Sequence, residues 1–177
     1  MARWKPAGMI TGVLEETGVF DTTPLHNFLN DFYEEYNNTI RRKIVVSSVD
    51  AITGNYHTFN ETIDDPMKAI LSSASIPFVF PNQKWNEPDV KIVGMDGGTV
   101  WNTNLVSAVQ RCREKVDDDS KITIDIVVCF GYSIDGKYSS SANTVDNYIR
   151  YKTIKDYYSS MDDILEFMRA FPDVNFR

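Results

Sequence analysis

The sequence predicts a layered α/β domain with a partly parallel sheet, and three observations favour this fold class. The 177 residues suit one domain with a hydrophobic core, which we expect to span residues 1–177. A hydrophobic fraction of 42% is that of an ordinary globular protein. In the middle of the chain, apolar runs typical of strands alternate with segments whose apolar residues recur at helical spacing.

The first predicted elements are a helix and a hairpin. Thr23 suits the N-cap position and Pro24 suits the first helical position, so we expect a helix that ends near residues 37–38. The β-branched run at residues 43–50 is typical of a buried strand. A glycine-containing turn separates it from a second short strand at residues 56–59, and the two strands should pair.

The central elements alternate between helix and strand. An acidic residue followed by Pro66 predicts a helix start, and the helix over residues 64–75 should end where two prolines follow. Residues 89–95 predict a strand that runs directly into the sequence DGG. Residues 104–114 place their apolar side chains on one helical face.

The C-terminal elements are a strand and a helical segment. Residues 121–130, KITIDIVVCF, give the strongest strand signal in the chain. From residue 145 to 171 apolar residues recur at helical spacing, which predicts one broken helix or two consecutive helices. We therefore expect residues 144–177 to form a C-terminal helical segment.

Charge and composition limit the classes of partner and compartment. A net charge of −7 argues against nucleic-acid binding, because phosphate contacts need clustered Lys and Arg. Two cysteines, Cys112 and Cys129, are too few for a disulfide framework and indicate a reduced, intracellular setting. The sequence has no apolar run of about 18 residues and no signal-peptide pattern. We expect a cytoplasmic or peripherally membrane-associated protein.

Asp96, Gly97 and Gly98 carry the clearest chemical signal. They follow a predicted strand, and sites in open α/β sheets cluster at the carboxyl ends of strands. Glycines permit a sharp turn and a close approach to a ligand. Two interpretations fit these three residues: a strand-to-helix turn in which Asp96 caps the following helix, or a catalytic aspartate held at the strand end.

A longer pattern surrounds this motif. It consists of SSASIPFVFP at residues 72–81, a predicted strand, and then DGGTVWN with Asn102 as its last residue. Upstream lies SSVDAITGNYHTF, and downstream lies IVVCFGYS. Over residues 23–133 the order and spacing of these parts resemble the patatin-like phospholipase family. In that family an I-P-x-x-F-P turn precedes a D-G-G or D-G-A motif and an asparagine.

The resemblance implies a fold, a reaction and site residues. The family has a three-layer α/β/α fold and hydrolyses lipid esters with a Ser–Asp dyad, without a metal or cofactor. By resemblance, Asp96 is the dyad aspartate, Gly97 and Gly98 shape its turn, and Asn102 supports the loop. A serine hydroxyl needs such an adjacent base, and backbone N–H groups would stabilise the oxyanion.

The sequence departs from the family at the nucleophile. It contains no G-x-S-x-G. The nearest string, residues 131–136, lacks the second glycine at the right place and comes after Asp96 instead of before it. The glycine-rich oxyanion loop is also absent, and Asn104 stands where the family usually has proline. We therefore expect a partial, C-terminal portion of the domain, with the serine and oxyanion loop supplied from upstream of Met1 or by another chain, and an isolated chain that is inactive.

Two alternatives remain open at this stage. One is a catalytically inactive patatin-like structural or interaction subunit of a larger assembly, and the other is an unrelated α/β binding module. The two histidines, His26 and His57, have no second ligand at metal spacing, so no metal site is predicted. The serines of the two SS pairs and Ser75 are interpreted as structural.

Overall fold

The computed structural model describes residues 3–4, 17–86, 91–128, 134, 136 and 138–177. Within it the chain is divided into two compact units, Met1–Val100 and Trp101–Arg177. Both combine helices with strands, so the mixed α/β class is confirmed. The expectation of one domain over residues 1–177 stays a prediction.

The first unit contains two helices and six strands among its described residues. In chain order they are β1 (Arg3–Trp4), β2 (Phe20–Asp21), α1 (Thr23–Glu35), β3 (Val45–Asp50), β4 (Tyr56–Asn60), α2 (Pro66–Ser73), β5 (Gln83–Lys84) and β6 (Val93–Asp96). A 3₁₀ turn, Gly97–Thr99, follows β6. β1 pairs with β2, and the other strands form an open sheet in the order β4-β3-β6-β5.

Local sequence signals explain the starts of both helices. α1 begins at Thr23 as predicted, but Thr22 is the N-cap and makes no side-chain cap bond. The Asp21 carboxylate instead accepts hydrogen bonds from the Thr23 N–H at 2.9 Å and from its hydroxyl at 2.7 Å. At the start of α2 the Asp65 carboxylate accepts from the Lys68 N–H at 2.8 Å.

The four-stranded sheet is antiparallel at every neighbouring pair, so the expected partly parallel sheet is wrong for this unit. The predicted hairpin of β3 and β4 is confirmed. Because β4 and β6 both run antiparallel to β3, they run in the same direction as each other. Both α2 and β5 lie in the connection from β4 to β6, and β3 separates these two strands of like direction in the sheet.

The core of the first unit lies between the sheet and α2. Its buried residues are Phe59, Ala69, Trp85 and Ile92. The Trp85 ring stacks on Phe59 with centroids 4.9 Å apart, and the Lys68 ammonium lies 4.9 Å from the centre of the Trp85 ring. α1 contributes no buried residue to this core, and its Phe28 side chain is 63% exposed.

The second unit is built around a long helix. Its described elements are α3 (Leu105–Arg113), a 3₁₀ turn (Asp119–Lys121), β7 (Thr123–Ile124), α4 (Thr144–Ala170) and β8 (Asn175–Phe176). β7 and β8 pair in parallel. The buried core comprises Leu105, Val109, Ile122, Ile124, Phe167 and Val174.

Two predictions for this unit need correction. The C-terminal segment is one continuous helix from Thr144, not a broken one, and Asn143 starts it with a capping box to Asp146. The strand predicted over residues 121–130 is a strand only at Thr123–Ile124, and residues 129–130 lie outside the described residues. A strand needs a hydrogen-bonded neighbour, and β8 pairs with only these two residues.

Candidate functional site

Asp96 is the last residue of β6, at the strand end where the sequence predicted it. Its N–H donates to the Ser75 carbonyl at 3.0 Å, and its register partner on β3 is Ser48. Its carboxylate Oδ1 accepts a hydrogen bond from the Gly98 N–H at 2.7 Å. Asp96 therefore caps the 3₁₀ turn, while Asn104 caps the next helix, α3.

The electrostatics of Asp96 differ from those of a solvated carboxylate. Burial raises the pKa of the half-buried Asp96 side chain, and the Gly98 N–H opposes the rise only in part. Among the described residues, Oδ2 has no hydrogen-bond partner. The arrangement is a carboxylate fixed through one oxygen, with the other oxygen available and with raised proton affinity. Such a group can act as a general base.

Gly97 and Gly98 have different surroundings. Gly97 is buried, and a Cβ at this position would lie 2.6 Å from the Ser47 carbonyl oxygen and 2.8 Å from its carbon. No larger residue fits without moving the backbone of β3. Gly98 is exposed, and the atom it contributes to the site is its N–H.

Asn102 belongs to the second unit, whereas Asp96, Gly97 and Gly98 belong to the first. The Asn102 side-chain amide donates to the Ser160 hydroxyl at 3.0 Å, and its N–H donates to Asp163 Oδ2 at 3.2 Å. Burial, followed by neighbouring acidic charge, raises the pKa of Asp163 against the effect of this N–H. Asn102 thus ties the loop before α3 to α4.

A layer of buried serines supports β6, and sequence reasoning did not anticipate its geometry. The Ser48 hydroxyl donates to the Met95 carbonyl at 2.7 Å and lies 2.8 Å from the Ser72 hydroxyl. Ser75 donates to the Leu71 carbonyl at 2.8 Å. The structural interpretation of these three buried serines is confirmed. The one sequence feature that could have indicated this packing is the glycine at position 94. A Cβ there would collide with Ser72 and lie 2.8 Å from Ser48 Oγ.

The D-x-x-T-G turn holds the opposite end of the same strands. Asp50 is buried, and its carboxylate accepts from the Thr53 hydroxyl at 2.7 Å, the Val93 N–H at 3.0 Å and the Ile52 N–H at 3.2 Å. These bonds, first the one from Thr53, lower the pKa of Asp50. Asp50 is therefore a structural anion that joins the hairpin turn to β6.

The remaining candidates lie away from Asp96. A cleft of about 490 Å³ is lined by residues 57–60, 62–63 and 91–92, including His57, but Asp96 is not part of its lining. His26 Nε2 lies 3.4 Å from the side-chain amide nitrogen of Asn30. Among the residues that the structure describes, no group of three or more His, Cys, Asp or Glu side chains could hold a metal ion. No helix in this described part is long and apolar enough to cross a membrane.

Comparison with known proteins adds no family assignment. No protein-family model matches the chain, and no curated protein matches it. Residues 131–133 and 135, which belong to the G-x-S-x-G-like string, lie outside the described residues, as does Cys129.

Proposed function

We propose that the chain supplies the aspartate of a Ser–Asp dyad in a patatin-like lipid acyl hydrolase with a three-layer α/β/α fold. Asp96 is the base in this proposal, Gly97 and Gly98 shape its turn, and Asn102 supports the following loop. The serine and the oxyanion loop come from outside these 177 residues. The observation that carries the proposal is Asp96 itself, whose carboxylate combines a raised pKa with a free Oδ2 within the described structure.

The chemistry follows from the protonation state. A serine that attacks an ester must lose its proton, and a carboxylate with raised pKa accepts a proton more readily than a solvated one. The Gly98 N–H fixes the carboxylate orientation through Oδ1. The buried serines cannot serve as the nucleophile here, because Ser48, Ser72 and Ser75 are fully buried and hydrogen-bonded within the sheet support.

Unsatisfied apolar surface supports a larger assembly. On α1 the rings of Phe28 and Phe32 stack on each other at 6.4 Å and are both exposed. Val127, in the run that predicted the strongest strand, is 86% exposed. Exposed strand-forming and aromatic residues of this kind are covered in stable proteins by further strands, helices or subunits.

The first test assays the isolated chain on a chromogenic ester, where we expect no turnover above buffer. Asp96-dependent turnover without any partner would contradict the proposal. The second test assays the assembly purified from its native source with this chain as bait. This assembly should hydrolyse the ester, and a fluorophosphonate should label a serine outside these 177 residues. Asp96→Asn should abolish turnover, whereas Asp64→Asn, at an exposed position, should not.

A non-catalytic subunit of a larger assembly is the second candidate, and the exposed face of α1 favours it. In that case the assembly forms equally well with the Asp96→Asn variant. The wild-type assembly shows no Asp96-dependent ester hydrolysis and is not labelled by a fluorophosphonate. We expect such a subunit to be aggregated or unfolded alone and ordered in the complex. A monomeric chain that melts cooperatively by itself would count against this candidate.

A further inference from the structure

Helix α4 carries a second apolar face in addition to the one in its own core. Ser160, Ile164 and Phe167 are its buried residues. A different set of apolar residues recurs at alternating spacings of three and four, and we call it the α4 seam: Tyr151, Ile154, Tyr158, Met161, Leu165 and Met168. Tyr151 and Tyr158 are both 58% exposed, and Leu165 is 44% exposed.

This spacing is the a/d pattern of a coiled coil. Apolar residues every 3.5 positions keep one stripe of a helix against a partner helix, with Tyr151, Tyr158 and Leu165 at a positions. The stripe covers residues 151–168 and is about 25 Å long at 1.5 Å per residue. Five of its six residues are at least 36% exposed and only Met161 is partly buried. We propose that the α4 seam binds the same helix of a second copy of this chain, in antiparallel orientation.

The side chains favour a second copy and the antiparallel orientation. In an antiparallel pair each a position faces a d position. The layers are then Tyr151 with Met168, Ile154 with Leu165, and Tyr158 with Met161 of the second copy. Each layer matches a bulky residue with a flexible or complementary one, and the Tyr–Met layers allow sulfur–aromatic contacts. A parallel pair would place Tyr against Tyr and Met against Met.

The flanking charges agree with this choice. Lys155 and Asp162 occupy e positions, and neither forms an ion pair within the described part of the chain. In the antiparallel pair e positions face each other, so Lys155 meets Asp162 of the second copy, and two-fold symmetry repeats the contact. In a parallel pair Lys155 would face Arg150, which is repulsive. A Lys152–Asp156 bridge at 3.2 Å occupies the solvent side.

The surface area that the α4 seam can bury indicates how tightly the two copies should bind. The five exposed residues of the seam present roughly 500 Å² of side chain per copy, judged from exposures of 36–58% and aromatic areas of about 150–250 Å². Two copies can therefore bury at most about 1,000 Å², which is the lower limit for a specific interface. We expect a reversible dimer with a micromolar dissociation constant.

The test is analytical ultracentrifugation of the full chain from about 1 to 100 µM, where a micromolar dimer dissociates. The wild type should shift from the 20.2 kDa monomer towards twice that mass. Tyr158→Lys, near the symmetry axis, should weaken dimerisation at least about tenfold. Ile149→Lys, an exposed residue outside the seam, should not. A chain that stays monomeric, or equal effects of the two variants, would overturn the proposal.

Exchanging the charges of Lys155 and Asp162 tests the antiparallel orientation of the two helices. Both residues are exposed, so their replacement should not impair folding. Lys155→Asp and Asp162→Lys should each weaken the dimer, and the double variant should restore it. Failure of the double variant to recover would refute the antiparallel register. Co-sedimentation with anionic phospholipid vesicles gives the competing outcome. If Tyr158→Lys abolished vesicle binding without changing the sedimentation of the free chain, the seam would be a membrane surface and the dimer would be wrong.

Discussion

The two glycines of the DGG motif should respond very differently to alanine. At Gly97 the added Cβ would lie 2.6 Å from the Ser47 carbonyl oxygen, whereas ordinary contacts begin at 3.4 Å. The difference, 3.4 minus 2.6, means that β3 and β6 must separate by about 0.8 Å at this point. The nearest atom is the Ser47 hydroxyl oxygen, but the carbonyl oxygen and carbon that follow belong to the backbone, so a rotamer change alone cannot relieve the contact.

The expected cost follows from this geometry. Overpacking of a fitted interior costs about 1–3 kcal/mol, and a backbone obstruction places Gly97→Ala near 2 kcal/mol or above. For a chain of this size each kcal/mol lowers Tm by about 2–4 °C, so we expect a decrease of about 4–8 °C. Gly98 is exposed in the 3₁₀ turn, so Gly98→Ala should change stability by less than about 0.5 kcal/mol.

The assay is thermal unfolding followed by circular dichroism, with urea midpoints as a second measure. The double variant Gly97→Ala with Ser47→Ala removes the hydroxyl but keeps the carbonyl, so it should recover only a small part of the loss. Wild-type stability in Gly97→Ala, or a larger loss in Gly98→Ala, would contradict the predicted contact between Gly97 and the Ser47 backbone.

Three further predictions concern the sheet support and the carboxylates. Gly94→Ala should lower the free energy of unfolding by about 1–3 kcal/mol, because the new Cβ meets the side chains of Ser48 and Ser72. Adding Ser72→Ala should recover much of this loss in urea unfolding, and no recovery would count against the packing. Asp50→Asn should cost about 2 kcal/mol at neutral pH. Since the folded pKa of Asp50 is lowered, its stabilisation is lost as pH falls through that pKa, and the variant should show a flatter acid profile of Tm; an unchanged profile would contradict this. The folded pKa of Asp96 is raised, so wild-type stability should fall as pH rises from about 4 through that pKa. Asp96→Asn should therefore match or exceed wild-type Tm at neutral pH and lose that advantage in acid, and a variant less stable at neutral pH would disprove the assignment.

Local signals in the sequence predicted the elements that depend on neighbouring residues. α1 and α2 follow from their apolar spacing and their Thr-Pro and Asp-Pro starts, and the β3–β4 hairpin follows from its turn. The direction of β6 relative to β3 depends on pairing between residues about 45 positions apart. No local pattern encodes this pairing, so the prediction of a partly parallel sheet was wrong for the first unit.

The same distinction applies to the candidate site. The end of β6 at Asp96 was predictable, because an apolar run stops at DGG. The support from Ser48 and Ser72 was not, because it joins β3, α2 and β6 across the core. The family resemblance also grouped Asn102 with Asp96, whereas the boundary between the two units falls after Val100.

Asp118 provides an internal comparison for the two interpretations of Asp96. Each aspartate precedes a 3₁₀ turn, and each accepts a hydrogen bond from the N–H two residues ahead, at 3.1 Å for Asp118 and 2.7 Å for Asp96. The exposed Asp118 has a lowered pKa, chiefly because the Ser120 hydroxyl donates to it, whereas burial raises that of Asp96. Capping a 3₁₀ turn therefore does not require a buried carboxylate. The turn explains the conformation of Asp96 but not its burial, and the proposed role of Asp96 as a base would use the raised pKa that this burial causes.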